Sequence, residues 1–312
     1  MSLLSTIGKI KIALTLALCA ILFSCSSGNL SQKDWDKIIE SYQDDGQTAD
    51  YQKLIRLNLA LSETGRLSDE LFNYTQAGSD GILLPWDQTV EMGERLSDCY
   101  WSMGHVAYAQ RMAFETNVID DRDCNPAMMI RLIETNLVYG AYDVAAKYIS
   151  LLERDRRYGS EARAFKRFLN NDTAVEKDPV LGPKRKCVPK EDFISLVRGI
   201  DEDLKDIIRA NPGYHKAIEY LGAIYLLDCE MDKFKEMVDE FYGTEALPEL
   251  HGSFAEAACM LSEIHRGYWK TVGVPTETYK RYSDFKARLE SGLSPDKYKG
   301  TFWYYIMLVN SQ

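Results

Sequence analysis

The chain has 312 residues, with 47 Asp and Glu against 37 Lys and Arg and a net charge of −10 at pH 7. That balance excludes a general nucleic-acid binder, whose affinity comes from neutralising phosphates with Lys and Arg. The length suffices for one large core or two smaller ones.

Residues 12–23 are apolar apart from Thr15, Lys9 and Lys11 stand just before them, and no acid occurs before Asp34. Twelve residues are too few to span a bilayer, which needs about 20. A basic start, a short apolar run and a small residue before the cut describe a secretory signal over residues 1–24. Leu22-Phe23-Ser24-Cys25 resembles the bacterial lipobox, in which the cysteine is acylated and becomes the new N-terminus. Residues 25–31 then read as a short tether after a lipidated Cys25. Losing residues 1–24 removes two lysines and no acid, which leaves −12. The expected location is the outer membrane, lipid-anchored on its periplasmic face. The membrane is held through the lipid anchor, because so acidic a body suits anionic headgroups poorly.

After Ser31, an N-cap candidate with Asp34 three residues on, Trp35, Ile38, Ile39 and Tyr42 recur at helical spacing. Val144, Tyr148, Leu151 and Leu152 do the same, and no alternating run demands a sheet. The predicted class is all-α. Four stretches fit one helix-pair frame, through Leu57, Leu61 and Gly65; Leu96, Tyr100, Gly104, Ala109 and Ala113; Leu132, Gly140, Ala145, Ile149 and Leu152; and Leu221, Gly222, Tyr225, Phe234, Val238 and Phe241. Gly65, Gly104 and Gly140 follow one another at 39 and 36 residues. The stretches resemble tetratricopeptide repeats, whose antiparallel pairs stack into a solenoid.

Residues 73–89 interrupt the rhythm as an apolar loop expected to pack back on the helices. Residues 173–190, with three prolines and Lys184-Arg185-Lys186, read as a linker with a solvated basic turn. This divides the chain into an N-terminal helical half, 32–172, and a C-terminal one, 191–312.

Catalytic signatures are missing. None of HExxH, GxSxG, a P-loop or GxGxxG occurs, and the four histidines form no metal spacing. Asp121, Asp123 and Asn125 begin like a calcium loop, but Pro126 and Leu132 stand where Gly and Glu belong. Asn125 capping a helix that starts at Pro126 explains the same residues. Cys99, Cys124, Cys187, Cys229 and Cys259 remain after the leader; Cys99, Cys229 and Cys259 read as small buried fillers, with a Cys229–Cys259 bridge left open. No metal, no cofactor and no enzyme activity is expected. In the repeat frame the concave face carries Glu91, Glu94, Asp98 and Trp101 on one helix and Glu134 on the next, with Trp86 beside them. This acidic strip is the expected site for a basic or polar segment of an envelope protein, in a scaffold role. The alternative is a binder of glycan or another small polar ligand, with Trp86 and Trp101 as stacking platforms.

"LNLALSETGRLSDELFNYTQAGSDGILLPWD", "RLIETNLVYGAYDVAAKYISLLE", "EYLGAIYLLDCEMDKF" and "YKGTFWYYIMLVN" follow in that order. Together they resemble a family of helical-repeat envelope proteins of Gram-negative gut anaerobes, a domain of unknown function, over most of residues 50–308. Members of that family often carry several membrane-spanning helices before this region, whereas here a lipidation signal is read. The resemblance implies the helical fold and transfers no activity and no catalytic residue. Glycan-binding outer-membrane lipoproteins and the lipoprotein of the outer-membrane assembly machine are similar in architecture, the second working by holding partners.

Overall fold

The computed structural model describes residues 30–44, 50–122, 124–190 and 199–311. The leader, Cys25 and most of the tether lie outside the described residues. Among those described there are 17 α-helices and no strand, so the chain is all-helical. They are α1 (Gln32–Ser41), α2 (Tyr51–Glu63), α3 (Leu67–Glu70), α4 (Val90–Met103), α5 (Val106–Ile119), α6 (Pro126–Tyr139), α7 (Tyr142–Leu152), α8 (Gly159–Ala164), α9 (Asp172–Lys177) and α10 (Leu181–Cys187). The second part holds α11 (Ile200–Ala210), α12 (Lys216–Leu227), α13 (Met231–Phe241), α14 (Gly252–Leu261), α15 (Tyr268–Thr271), α16 (Thr276–Glu290) and α17 (Phe302–Val309).

Side-chain oxygens set several helix starts. Ser31 and Asp34 form a capping box, with the Ser31 backbone N–H donating to Asp34 Oδ2 at 3.2 Å. Asn125 Oδ1 accepts from the Met128 N–H at 3.1 Å with Pro126 as the first helical residue, so Asn125 is a helix cap, while Asp123 of the calcium-like stretch lies outside the described residues. The ends repeat one device. Gly104 (φ 86°) and Gly140 (φ 73°) are left-handed. At each, successive N–H groups return to carbonyls three and five residues back: Gly104 to Trp101 and His105 to Tyr100, Gly140 to Leu137 and Ala141 to Asn136. Cys229 (φ 57°) takes the same part between α12 and α13, with Cys229 N–H on Leu226 O and Glu230 N–H on Tyr225 O. These tight turns fold α4 on α5, α6 on α7 and α12 on α13.

The pairs do not follow a simple N-to-C stack. α12 packs against α2, α3 and α4, and α14 packs against α3. One core therefore holds Trp35, Leu57 and Leu96 together with Leu204, Leu221, Phe254 and Trp303. A second gathers Trp101, Val106, Ile133, Ile149, Phe168 and Leu181. Helix α4 serves both, with Leu96 and Met103 in the first core and Trp101 in the second. Close approach within the first core requires a missing side chain at Gly222, where an added Cβ would lie 2.1 Å from Phe254 Cζ.

Three expectations change. Residues 173–190 are not a linker: α9 and α10 are helical, α10 packs on α6 and α11, and Leu181, Lys184 and Cys187 are buried. The two halves are not separate, because the first core draws on both. On α7 the buried residues are Ala145, Ile149 and Leu152, whereas Val144 and Leu151 face solvent. The apolar loop does pack back: Ile82 is buried and Asn58 Nδ2 donates to Gly81 O at 2.9 Å. Cys99, Cys187 and Cys259 are buried, Cys229 is half-buried, and the five described cysteines are free thiols.

Candidate functional site

The residues expected on the acidic strip part company. Asp98 and Trp101 stand one turn apart on α4, and Arg131 and Glu134 one turn apart on α6. All four are buried. Arg131 Nη2 donates to Asp98 Oδ1 at 3.0 Å and Nη1 to Glu134 Oε2 at 2.7 Å, while its Cζ lies 4.5 Å from the Trp101 ring centroid. Asp98, Trp101 and Glu134 thus form an interior charge network and no exposed strip, and Trp101 is no platform for a sugar. An ion held in the interior needs such pairing, because desolvating it unpaired costs several kcal/mol, on the order of what a whole fold retains.

Lys184 extends the network from α10. Its Nζ lies 5.1 Å from the Trp101 centroid and 4.4 Å from that of Tyr214, and donates to Trp101 O and to Tyr214 OH. Tyr214 OH donates in turn to Ser102 O at 2.5 Å. Ser102 Oγ donates to Glu63 Oε1 at 2.6 Å and accepts from Tyr220 OH at 3.2 Å, and Lys216 meets Glu63 Oε2 at 2.7 Å. The chain of contacts joins α2, α4, α6, α10 and α12. Burial pushes the Glu134 carboxyl up to about 7 against the pull of Arg131, and pushes the Lys184 ammonium down to about 7. Glu63 is also driven up by burial, but Lys216 and Ser102 outweigh it and hold it below the usual range. Beside the network, the Tyr108 N–H donates to His105 Nδ1 at 3.3 Å, which leaves the ring proton on Nε2, 3.1 Å from Asp203 Oδ2.

The remaining candidates lie at the surface. Glu91 is exposed; Glu94 is half-buried, raised by burial, and accepts from Asn125 Nδ2 at 2.6 Å. Trp86 is half-buried and its Nε1 donates to Thr89 O at 3.0 Å. With Gln88 it forms one wall of a notch of about 230 Å³, whose other wall is Phe114, Glu115, Val118 and Ile119 of α5. Phe114 is 52% and Val118 64% exposed, an apolar surface that none of the described residues covers. Sequence reasoning missed it, although Phe114 and Val118 are an i, i+4 pair off the buried stripe of Ala109, Met112, Ala113 and Thr116.

Among the described residues no group of three or more His, Cys, Asp and Glu is placed to hold a metal ion. Ser68 Oγ and Asp69 Oδ1 both approach His251, but on the same nitrogen, Nδ1, at 3.4 and 2.8 Å. A relay needs the carboxylate on one ring nitrogen and the hydroxyl on the other. No helix among the described residues is long and apolar enough to cross a membrane.

Fold and surface together define an all-helical protein with a charged interior seam and an open apolar notch. Over residues 28–309 the chain matches the model of the family of unknown function DUF6057, and it belongs to that family. Comparison with curated proteins and with solved structures found no match.

Proposed function

We propose that this chain is a non-catalytic scaffold of the cell envelope, lipidated at Cys25 on the periplasmic face of the outer membrane, that holds a protein partner on tetratricopeptide-like helix pairs. The α4/α5, α6/α7 and α12/α13 pairs with their shared turn support the repeat reading. The observation that carries the binding role is the notch of Trp86, Phe114, Val118 and Ile119. A cluster of open apolar side chains with a polar rim is the usual mark of a protein-contact surface. Asp87 lies between Trp86 and Gln88 and Glu115 lines the other wall, so the complementary partner presents an apolar anchor flanked by Lys or Arg.

The test is a crosslinked pull-down of the tagged chain from its own envelope, beside Cys25→Ala and Phe114→Asp/Val118→Asp. One or two proteins enriched at near-equal amounts with the wild type, and lost with the double variant, would support the scaffold. The same capture with both forms would remove the notch. Charge reversal at Asp98 is unsuitable here, since it would break the interior network before it tested a surface.

A further inference from the structure

The net acidity hides a segregation of charge. Residues 147–190 contain twelve Lys and Arg against six Asp and Glu, a surplus of six positive charges in a chain whose total is −10. Much of that surplus collects at the C-terminal end of α7 and on the turn and helix after it. Lys147, Arg154, Arg156, Arg157, Arg163, Lys166 and Arg167 are all exposed. Glu153 draws two of them inward, accepting from Lys166 Nζ at 2.5 Å through Oε2 and from Arg163 Nη1 at 2.6 Å through its carbonyl. Lys147, Arg154 and Arg156 make no ion pair among the described residues.

The outer face of α7 interleaves these cations with apolar side chains. Val144, Lys147, Leu151 and Arg154 follow at steps of three, four and three residues, so they share one side of the helix and its C-terminal turn. Val144 is 40% and Leu151 68% exposed. Exposed apolar side chains among long cationic ones are the composition of a helix face that lies in a headgroup layer, with the alkyl groups dipping and the cations meeting phosphates. A protein groove would select a few of these cations by fixed acceptor geometry. The spread over α7, α8 and the turn between them suits a laterally continuous negative surface instead.

We propose that the α7–α8 face is a docking surface for anionic phospholipid headgroups. It would lay the protein flat on the bilayer, and it stands whether or not Cys25 is lipidated and whether or not the α5 notch holds a partner.

The test is co-sedimentation of the full chain with vesicles of phosphatidylcholine alone and of phosphatidylcholine with phosphatidylglycerol at a 7:3 ratio. The apolar leader contributes to both vesicle types, so the ratio of the two affinities isolates the charged face. The wild type should favour the anionic vesicles about tenfold or more in 0.1 M salt, given roughly a fivefold gain per basic side chain at such a surface. The preference should vanish in 1 M salt, where the Debye length falls from about 10 to about 3 Å. Lys147→Glu/Arg154→Glu/Arg156→Glu should abolish it. Arg266→Glu/Lys270→Glu/Lys280→Glu, the same charge change on exposed residues outside this face, should keep most of it. Equal loss in both triple variants would mean that net charge and not this face is responsible, and would overturn the proposal. So would a wild-type ratio near one; if the first triple variant then lost binding to polyglutamate, the face would belong to an acidic protein segment.

Discussion

Arg131→Met tests the interior network most directly. Methionine fills much of the space of the arginine stem but removes the guanidinium that meets Asp98 at 3.0 Å and Glu134 at 2.7 Å and covers Trp101. Removing one partner from a buried ion cluster costs about 3–5 kcal/mol, because the opposite charges stay in the interior. With roughly 2.1 cal/mol/K of unfolding entropy per residue, the whole chain has about 0.65 kcal/mol/K, so a loss near 4 kcal/mol lowers Tm by about 6 °C. The assay is thermal and urea unfolding of wild type and variant at pH 7.5 and 5.5. Burial already raises Glu134 to about 7, and without the guanidinium it takes up a proton more readily. The deficit should therefore shrink at pH 5.5. Replacing the set together, Arg131→Met/Asp98→Leu/Glu134→Leu, should recover most of the loss, since apolar residues can substitute for a buried ion group when all its members go. A deficit below about 1 kcal/mol for the single variant, equal at both pH values, would refute the claim that Arg131 neutralises the interior carboxylates.

Three further outcomes follow from the same geometry. Cys229→Gly should raise stability by about 0.5–1 kcal/mol, because Cys229 holds the left-handed φ of 57° that Gly104 and Gly140 supply elsewhere; urea unfolding beside Gly140→Ala, which should lose a similar amount, checks it. Gly222→Ala should cost about 2–3 kcal/mol by driving a methyl into Phe254, and Phe254→Leu in the same chain should cost less than the two changes summed, read from a double-mutant cycle. Stability should pass through a minimum near pH 7: burial raises Glu134, Glu219 and Glu256 to about 7, so their contribution is full below the ordinary carboxylate range and lost as pH rises through 7, whereas that of Lys184, lowered to about 7, returns as pH climbs from there towards 10. A urea midpoint that rises steadily from pH 5.5 to 7.5 would contradict it.

Much of the local structure was legible because it rests on short-range chemistry. Ser31 with Asp34, Asn125 with Pro126, and Gly104 and Gly140 each act within a few residues of themselves. The apolar loop was legible because Ile82 has nowhere to go but inward. The acidic strip misled because charge alone does not separate a solvated face from a buried network. The signal lay in the partner, for Arg131 and Glu134 sit one turn apart inside the mostly apolar run "AMMIRLIETNLVY". The prolines of 173–190 misled in another way. Pro183 falls in the first turn of α10, where its missing N–H is not needed, so it starts a helix and does not mark a linker. On α7, Val144 and Leu151 fit helical periodicity as well as Ala145, Ile149 and Leu152 do, so spacing alone does not say which of two adjacent stripes turns towards the core.

The network's position explains why so much charge is kept indoors. An all-apolar seam would let α10 slide along α6 and α11 with little change in energy, since apolar contacts have no direction. Lys184 has direction. Its ammonium is satisfied where Trp101 O and Tyr214 OH meet, and Tyr214 in turn is fixed by Ser102 O. Arg185, its neighbour, donates to Leu137 O and Val138 O at 2.8 and 3.0 Å and so ties the start of the same seam to the end of α6. The register of α10 sets how the α4–α7 pairs sit on the rest of the protein. For the proposed scaffold that is the quantity that matters, because the α5 notch and the basic face of α7 lie on those pairs, and a rigid seam would fix the angle between them.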